Sequence, residues 1–429
     1  MSDPHIPEAF IFTRISPGFN GETSSSNISI LPISLVVGSV AINSNIILIN
    51  LIFVLLLITN KSIFNDNKLL ILYLGLFQLI IIILFFFSID KVNSFERTFG
   101  ILRFLLLSFA IVVALNCLSE KIKKIFFKFW TIIFILISLD LLFEFSFGSN
   151  IFGFRSYMPG RLVGMMVDEL KIGHLYMGLS TYVLGYLIFE NPKKYKLITF
   201  SIFIVLIISF LIGERANFLR LLFICYFLLN INIYLNVKKK LIYFNLIILI
   251  LIGIFASIIN YSPSFKVRYY YQFILPIKEG GLKQFVENSI YGKHYNAAYH
   301  IFNNNKSTGI GLKNFRIESF KLDINEDQSN KKFLGATHPH QIHLEFLSET
   351  GLIGYISWIT FIILSIISAV RRLTLMFNYL SLAGLLYVIA YIFIPLPTGS
   401  FFSTYPATIF WINYALMMSN NEKKLNLSS

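Results

Sequence analysis

Charge is scarce in this chain: Asp, Glu, Lys and Arg make up 14% of its 429 residues, against 56% hydrophobic. A soluble globular domain carries roughly a quarter charged residues, so that class is excluded. Cysteine is scarcer still. Cys117 and Cys225 both fall inside apolar runs, where a small apolar filler is expected and neither a disulfide framework nor a zinc-ligand spacing can be built. The first 27 residues, with Pro4, Pro7, Pro17 and Gly18, lack the short basic-then-apolar layout of a cleaved signal peptide. They are expected to form a mobile cytoplasmic tail. Internal repeats are missing, which leaves an inverted-repeat transporter architecture unsupported. So are a P-loop, a Rossmann glycine pattern and an outward Asp-x-Asp pair, which argues against ATP or a nucleotide-sugar donor.

What is present is one apolar run after another, with a mean hydropathy of +0.70. A bilayer core needs about 20 apolar residues per helix. The runs predict spans at 28–43, 45–59, 69–89, 98–118, 127–147, 171–189, 196–212, 217–235, 241–260, 344–369, 374–394 and 400–418. The fold expected is therefore all-α and polytopic, with about 12 transmembrane helices. Helices 1–9 occupy 28–260, a large loop 261–343, helices 10–12 344–418, and a cytoplasmic tail 419–429. The first hairpin, split by Asn43, Ser44 and Asn45, reads equally as one long helix.

The net charge of +14, from 36 basic and 22 acidic residues, would suggest nucleic acid in a soluble protein. Here the basic residues gather in alternate short gaps, such as Lys121 to Lys128, Lys193 to Lys196 and Lys238 to Lys240. Such gaps stay cytoplasmic, so no nucleic-acid partner is expected. The gaps 90–97, 148–170, 213–216, 261–343 and 395–399 then face outward. Residues 261–343 are too long and polar for a turn, and loops of that length are usually functional. Its start, Phe265 to Phe273, mixes basic and aromatic residues as an interfacial helix does.

Polar residues at membrane depth are costly and mark function. Arg215 lies in the short turn Gly213-Glu214-Arg215, where it either pairs with Glu214 or binds an anion. Arg161 precedes Asp168 and Glu169 by seven and eight residues, on one face if the segment is helical. An internal salt bridge competes with a ligand role there. Arg268 sits in the aromatic cluster, where a lipid headgroup could also satisfy it. The densest group is Thr337-His338-Pro339-His340-Gln341-Ile342-His343-Leu344-Glu345, followed by Glu349, Gly351 and Gly354. His340 titrates near neutrality unless perturbed, which suits a general base. Glu345 or Glu349 could orient it from one or two turns below. Zinc is the rival use of three histidines and Glu345, but His338-x4-His343 is not the helical His-Glu-x-x-His arrangement. Gly351 and Gly354 permit close helix approach. Gly309-x-Gly311 reads as a turn, or as a helix start offering N–H groups to an anion.

Arg161-x2-Gly164 with Asp168-Glu169, Gly213-Glu214-Arg215, Arg268, Gly309-x-Gly311-x2-Asn314-Phe315 and His338-Pro339-His340-Gln341, then Gly351-x2-Gly354, occur in order. Together they resemble the O-antigen ligase and O-antigen polymerase superfamily, with the resemblance running from Arg161 to Gly354. It implies a GT-C-like, inverting, metal-independent membrane glycosyltransferase of the bacterial inner membrane, with no cofactor. Its active site faces the periplasm, in a partly helical loop. The donor implied is an undecaprenyl-diphosphate-linked glycan; the acceptor is a lipid-linked glycan in polymerases and lipid A–core in ligases. A chain-length regulator is a further candidate partner. By resemblance Arg215 and Arg268 bind the diphosphate, His340 assists acceptor attack, and Arg161, Asp168, Glu169, Glu214 and His338 complete the substrate site. Pro395 to Ser400 lacks the acid some ligases carry there, and with Asp168-Glu169 this favours the polymerase over the ligase. A polysaccharide-unit flippase is the alternative of another class.

Overall fold

The computed structural model describes residues 21–59, 63, 67–166, 170–236, 242–325 and 332–419. Asp168, Glu169, residues 1–20 of the expected N-terminal tail and 420–429 of the C-terminal one lie outside them. Among the described residues every regular element is a helix. Eight are long and apolar enough to cross a bilayer: Ser39–Thr59, Lys68–Phe85, Lys91–Cys117, Glu120–Phe147, Ile172–Glu190, Tyr195–Ile212, Arg215–Asn236 and Ile342–Leu375. The chain is thus a polytopic membrane protein.

The first apolar stretch does fold as a hairpin, but it turns at Gly38, not at Asn43 to Asn45. Gly38 has φ 132°, a conformation that only glycine adopts freely. The Asn45 side chain then donates across the hairpin to Ser34 Oγ at 3.0 Å. A second departure is the gap 90–97, which is helical: Asp90 caps Lys91–Gly100 by accepting from Asn93 N at 3.1 Å.

The helices sort into two layers. Ile172–Glu190, Tyr379–Phe393 and Thr404–Met418 are buried along nearly their whole length. Small residues let them close on one another: a Cβ on Gly185 would stand 2.7 Å from Ala383 Cβ. Such close approach is how helices gain packing where the solvent is itself apolar. The outer helices keep one face bare, with Ile47, Leu51, Leu55 and Ile58 on Ser39–Thr59 and Leu69, Leu72, Leu76 and Ile83 on Lys68–Phe85. A stripe of this kind fits lipid tails and would drive aggregation in water.

The long polar segment is folded. Pro263 opens it, a π-helical stretch runs Lys266–Ile274, and Leu275–Asn288, Ile290–Asn304 and Phe315–Asn325 follow. Ala297, Ala298, Ile301, Ile310, Phe315 and Ala336 make it a small core of its own. It docks through a seam of main-chain bonds: Ile310 N to Ser348 O at 3.1 Å, Gly311 N to Glu349 O at 2.8 Å, and Leu352 N to Lys306 O at 2.8 Å. The seam needs Gly351 to leave helical geometry, at φ 63° and ψ −167°, inside Ile342–Leu375.

Candidate active site

All five gaps expected to share one face meet at one end of the bundle. Asn314 Nδ2 reaches Ser88 Oγ at 2.9 Å and Asp90 O at 3.2 Å, joining the long segment to the 88–94 corner. Leu162 N donates to Ile212 O at 3.1 Å, and Thr398 N to His340 O at 2.8 Å. The basic gaps meet elsewhere: Lys124 lies 3.9 Å from Glu190, and Asn232 donates to Pro192 O at 3.0 Å.

The arginine corner is built by two turns pressed together. Gly213, with φ 78°, ends Tyr195–Ile212 so tightly that a Cβ there would overlap Gly160 O. Glu144 fixes the facing turn by accepting from Val163 N at 2.9 Å and Gly164 N at 2.7 Å. Arg161 Nη2 then reaches Glu214 Oε1 at 2.6 Å and Leu170 O at 2.8 Å. Glu214 also accepts from Asn217 Nδ2 at 2.5 Å and Gly173 N at 3.3 Å, so both its oxygens are engaged. This corrects two expectations. Residues 161–163 are not helical, so the spacing to Asp168 and Glu169 does not define a shared face. Glu214 pairs with Arg161 rather than with Arg215.

Arg215 and Arg268 are held differently. Arg215 Nη1 donates to Arg268 O at 3.2 Å, with its Cζ 5.2 Å from the Phe273 ring. Arg268 Nε donates to Gly213 O at 2.7 Å. Among the described residues, no ion pair includes either of them. Burial first, then the Arg161 and Arg215 charges, push the Arg268 guanidinium down to about 10, which leaves it protonated at neutral pH. Among the described residues, three guanidiniums and one carboxylate share the corner, so Arg215 and Arg268 have no carboxylate partner there.

His340 has its backbone at φ 56°. Ring centroids lie 4.0 Å away for His338, 5.3 Å for His294 and 5.7 Å for Tyr291. Burial, then the His294 and His174 charges, lower the His340 imidazole to about 4, so it is neutral near pH 7. His338 is held down more strongly, again by burial first.

Several spacing-based roles change. Glu345 accepts from Ser400 Oγ at 2.5 Å and Phe401 N at 2.8 Å, and Glu349 from Phe315 N at 3.3 Å. Neither acid reaches His340, because both turn inward along their helix. His343 turns away as well, with Nε2 2.7 Å from Ile392 O and Nδ1 3.1 Å from Tyr355 OH. Among the described residues no group of three His, Cys, Asp or Glu forms a metal ligand set. The N–H groups of Ile310 and Gly311 are spent on the seam, and the N–H that this turn gives a carboxylate, that of Phe315, goes to Glu349 of the protein itself. Gly351 admits the seam: a Cβ there would overlap Ser307 O. At Gly354 a Cβ would meet Leu84 Cδ1 at 2.8 Å, so Ile342–Leu375 passes close to Lys68–Phe85 there.

Residues 200–359 match the family model described as O-antigen ligase. The matched stretch holds Arg215, Arg268 and His340, and the match agrees with the superfamily to which the ordered motifs point. No curated protein matches the chain. Tyr291 and His294 lie inside the matched stretch too, and sequence reasoning passed over both. Their spacing of three on one helix was a usable sign. Arg220, an arginine inside an apolar run, was a stronger one. Glu144, 19 and 20 residues from the Val163 and Gly164 N–H groups it holds, gave no local signal.

Proposed function

We propose that this protein is a membrane glycosyltransferase that polymerises lipid-linked glycan units. Arg215 and Arg268 grip the diphosphate of an undecaprenyl-diphosphate-linked donor, and His340 takes the proton of the attacking sugar hydroxyl. The observations that carry this reading are a pair of guanidiniums with no ion-pair partner among the described residues and a neutral imidazole packed beside Tyr291.

The chemistry follows from the charges. The acceptor hydroxyl oxygen attacks the anomeric carbon from the face opposite the diphosphate. The bond to the leaving oxygen breaks, and its electron pair passes to the diphosphate. That group gains negative charge at the moment of transfer, and donors already fixed in a partly dry site stabilise it without reorganising. A planar guanidinium suits two phosphate oxygens at once, which lysine does not. Each such donor contributes about 3–4 kcal/mol to the rate by analogy with oxyanion holes. The hydroxyl is a poor nucleophile at neutral pH, so its proton must leave as the bond forms, and neutral His340 accepts it.

Arg161 supports the same reading from one step back. Tied to Glu214, it adds no net charge but sets the turn against which Arg215 is placed. The acceptor is assigned to a second lipid-linked unit because no acid lies in Pro395 to Ser400.

The test uses purified protein in lipid with undecaprenyl-diphosphate repeat units, without nucleotide or added metal. A ladder of longer lipid-linked glycans is expected. Transfer only to lipid A–core would replace polymerase with ligase. No transfer to either by folded protein would overturn the enzyme reading.

A further inference from the structure

We infer that Arg220 is a positioning residue for His340, acting through residues 396–401; this rests on the reading of His340 as the base. Arg220 lies within Arg215–Asn236 and is fully buried. A guanidinium at such depth is costly unless its donors are met. Nη1 donates to Pro397 O at 2.9 Å and Nη2 to Leu396 O at 2.7 Å, with the Tyr391 ring 5.7 Å from Cζ. One rigid fork thus holds the carbonyls of two successive residues. Lysine has no such fork.

The next residue carries the effect onward. Thr398 N donates to His340 O at 2.8 Å. Beyond it, Ser400 Oγ and Phe401 N are taken by Glu345. The segment is therefore pinned at three points, and the middle one is the backbone of the proposed base. That backbone needs holding. A left-handed non-glycine residue is strained and persists only where its surroundings fix it. The direction in which the imidazole leaves the chain, toward Tyr291 and His294, follows from this φ of 56°. Arg220 itself makes no hydrogen bond to His340, so its influence passes through the backbone. It joins no ion pair among the described residues either, so charge neutralisation does not explain it.

The experiment compares the full-length protein with Arg220→Met and Arg220→Lys in lipid. Two quantities are read: kcat and donor KM with a polyprenyl-diphosphate repeat unit, and carbethoxylation of His340 by diethyl pyrocarbonate. The second is quantified by mass spectrometry against exposed His300 in the same molecule. A base displaced by about 1 Å costs on the order of 100-fold in rate. Arg220→Met is therefore expected to lower kcat by about 10- to 100-fold with donor KM nearly unchanged, and to alter the His340:His300 labelling ratio. Arg220→Lys recovers part of both. Thr398→Pro, which lacks the N–H, gives the same change in labelling and adds little when combined with Arg220→Met, as expected for one shared path. A wild-type labelling ratio in Arg220→Met would overturn the inference, whatever its stability. Labelling reads His340 even if the wild-type protein transfers nothing. That result would sink the functional reading and leave Arg220 to be judged separately.

Discussion

The arginine corner and the glycine seam lie at the same end of the bundle, and both are built from motif residues, yet they spend their polar groups in opposite ways. In the seam every donor is consumed inside the protein: Ile310 N, Gly311 N and Leu352 N on carbonyls, and Asn314 Nδ2 on Ser88 Oγ and Asp90 O. In the corner, Glu214 neutralises Arg161, while among the described residues the polar contacts of Arg215 and Arg268 are to carbonyls, an aromatic ring and a thioether sulfur. A carbonyl meets a hydrogen-bonding need but cancels no charge. Seam residues therefore hold the long segment down, and under the proposed function the corner residues keep their charge for the diphosphate.

The comparison separates activity from stability, and the largest expected effect tests it first. Arg215→Ala or Arg268→Ala should each lower the transfer rate by about 10²–10³ without lowering the melting temperature. A variant that loses stability in step with rate would assign its arginine to the scaffold instead. Gly351→Ala should do the reverse. A left-handed backbone costs a non-glycine residue about 1–3 kcal/mol, before any overlap with Ser307 O. Thermal unfolding should fall by several degrees, while the rate per folded molecule holds. Asn314→Ala sharpens the seam side further. It leaves buried acceptors unmet at a cost of about 1–3 kcal/mol, again read as a lower melting temperature with activity retained.

The smallest expected effect is an absence of change. The base works in its neutral form, so its contribution is present above its pKa and lost as pH falls through it. With His340 held near 4 by burial, the rate should stay level from pH 8 to 6 and fall only on further acidification. A half-point near 6.5, the value of an unperturbed histidine, would mean that His340 is wet and not set among His294, His338 and Tyr291.

The sequence made the helices legible because each must bury about 20 apolar residues in a row, and the basic gaps made the alternation legible. Arg215, Arg268 and His340 stood out because charge and imidazole are rare in such a chain. What pairs with what was hidden. Spacing set Arg161 beside Asp168 and Glu214 beside Arg215, but Gly213 and Gly160 bring Arg161 across to Glu214 from 53 residues away. Helical spacing likewise aimed Glu345 and Glu349 at His340, although the chain leaves helical geometry before Ile342 and both acids face inward. Long-range pairing in a bundle is set by which turns collide, and local periodicity does not encode it.

Arg268→Gln most directly tests whether charge, rather than shape, is what the corner supplies. Turnover of an undecaprenyl-diphosphate glycan and thermal unfolding would be measured on the same preparation. The expected result is a loss of at least about 100-fold in turnover with unfolding unchanged. Turnover near that of the unmodified protein would contradict a diphosphate held by the corner guanidiniums.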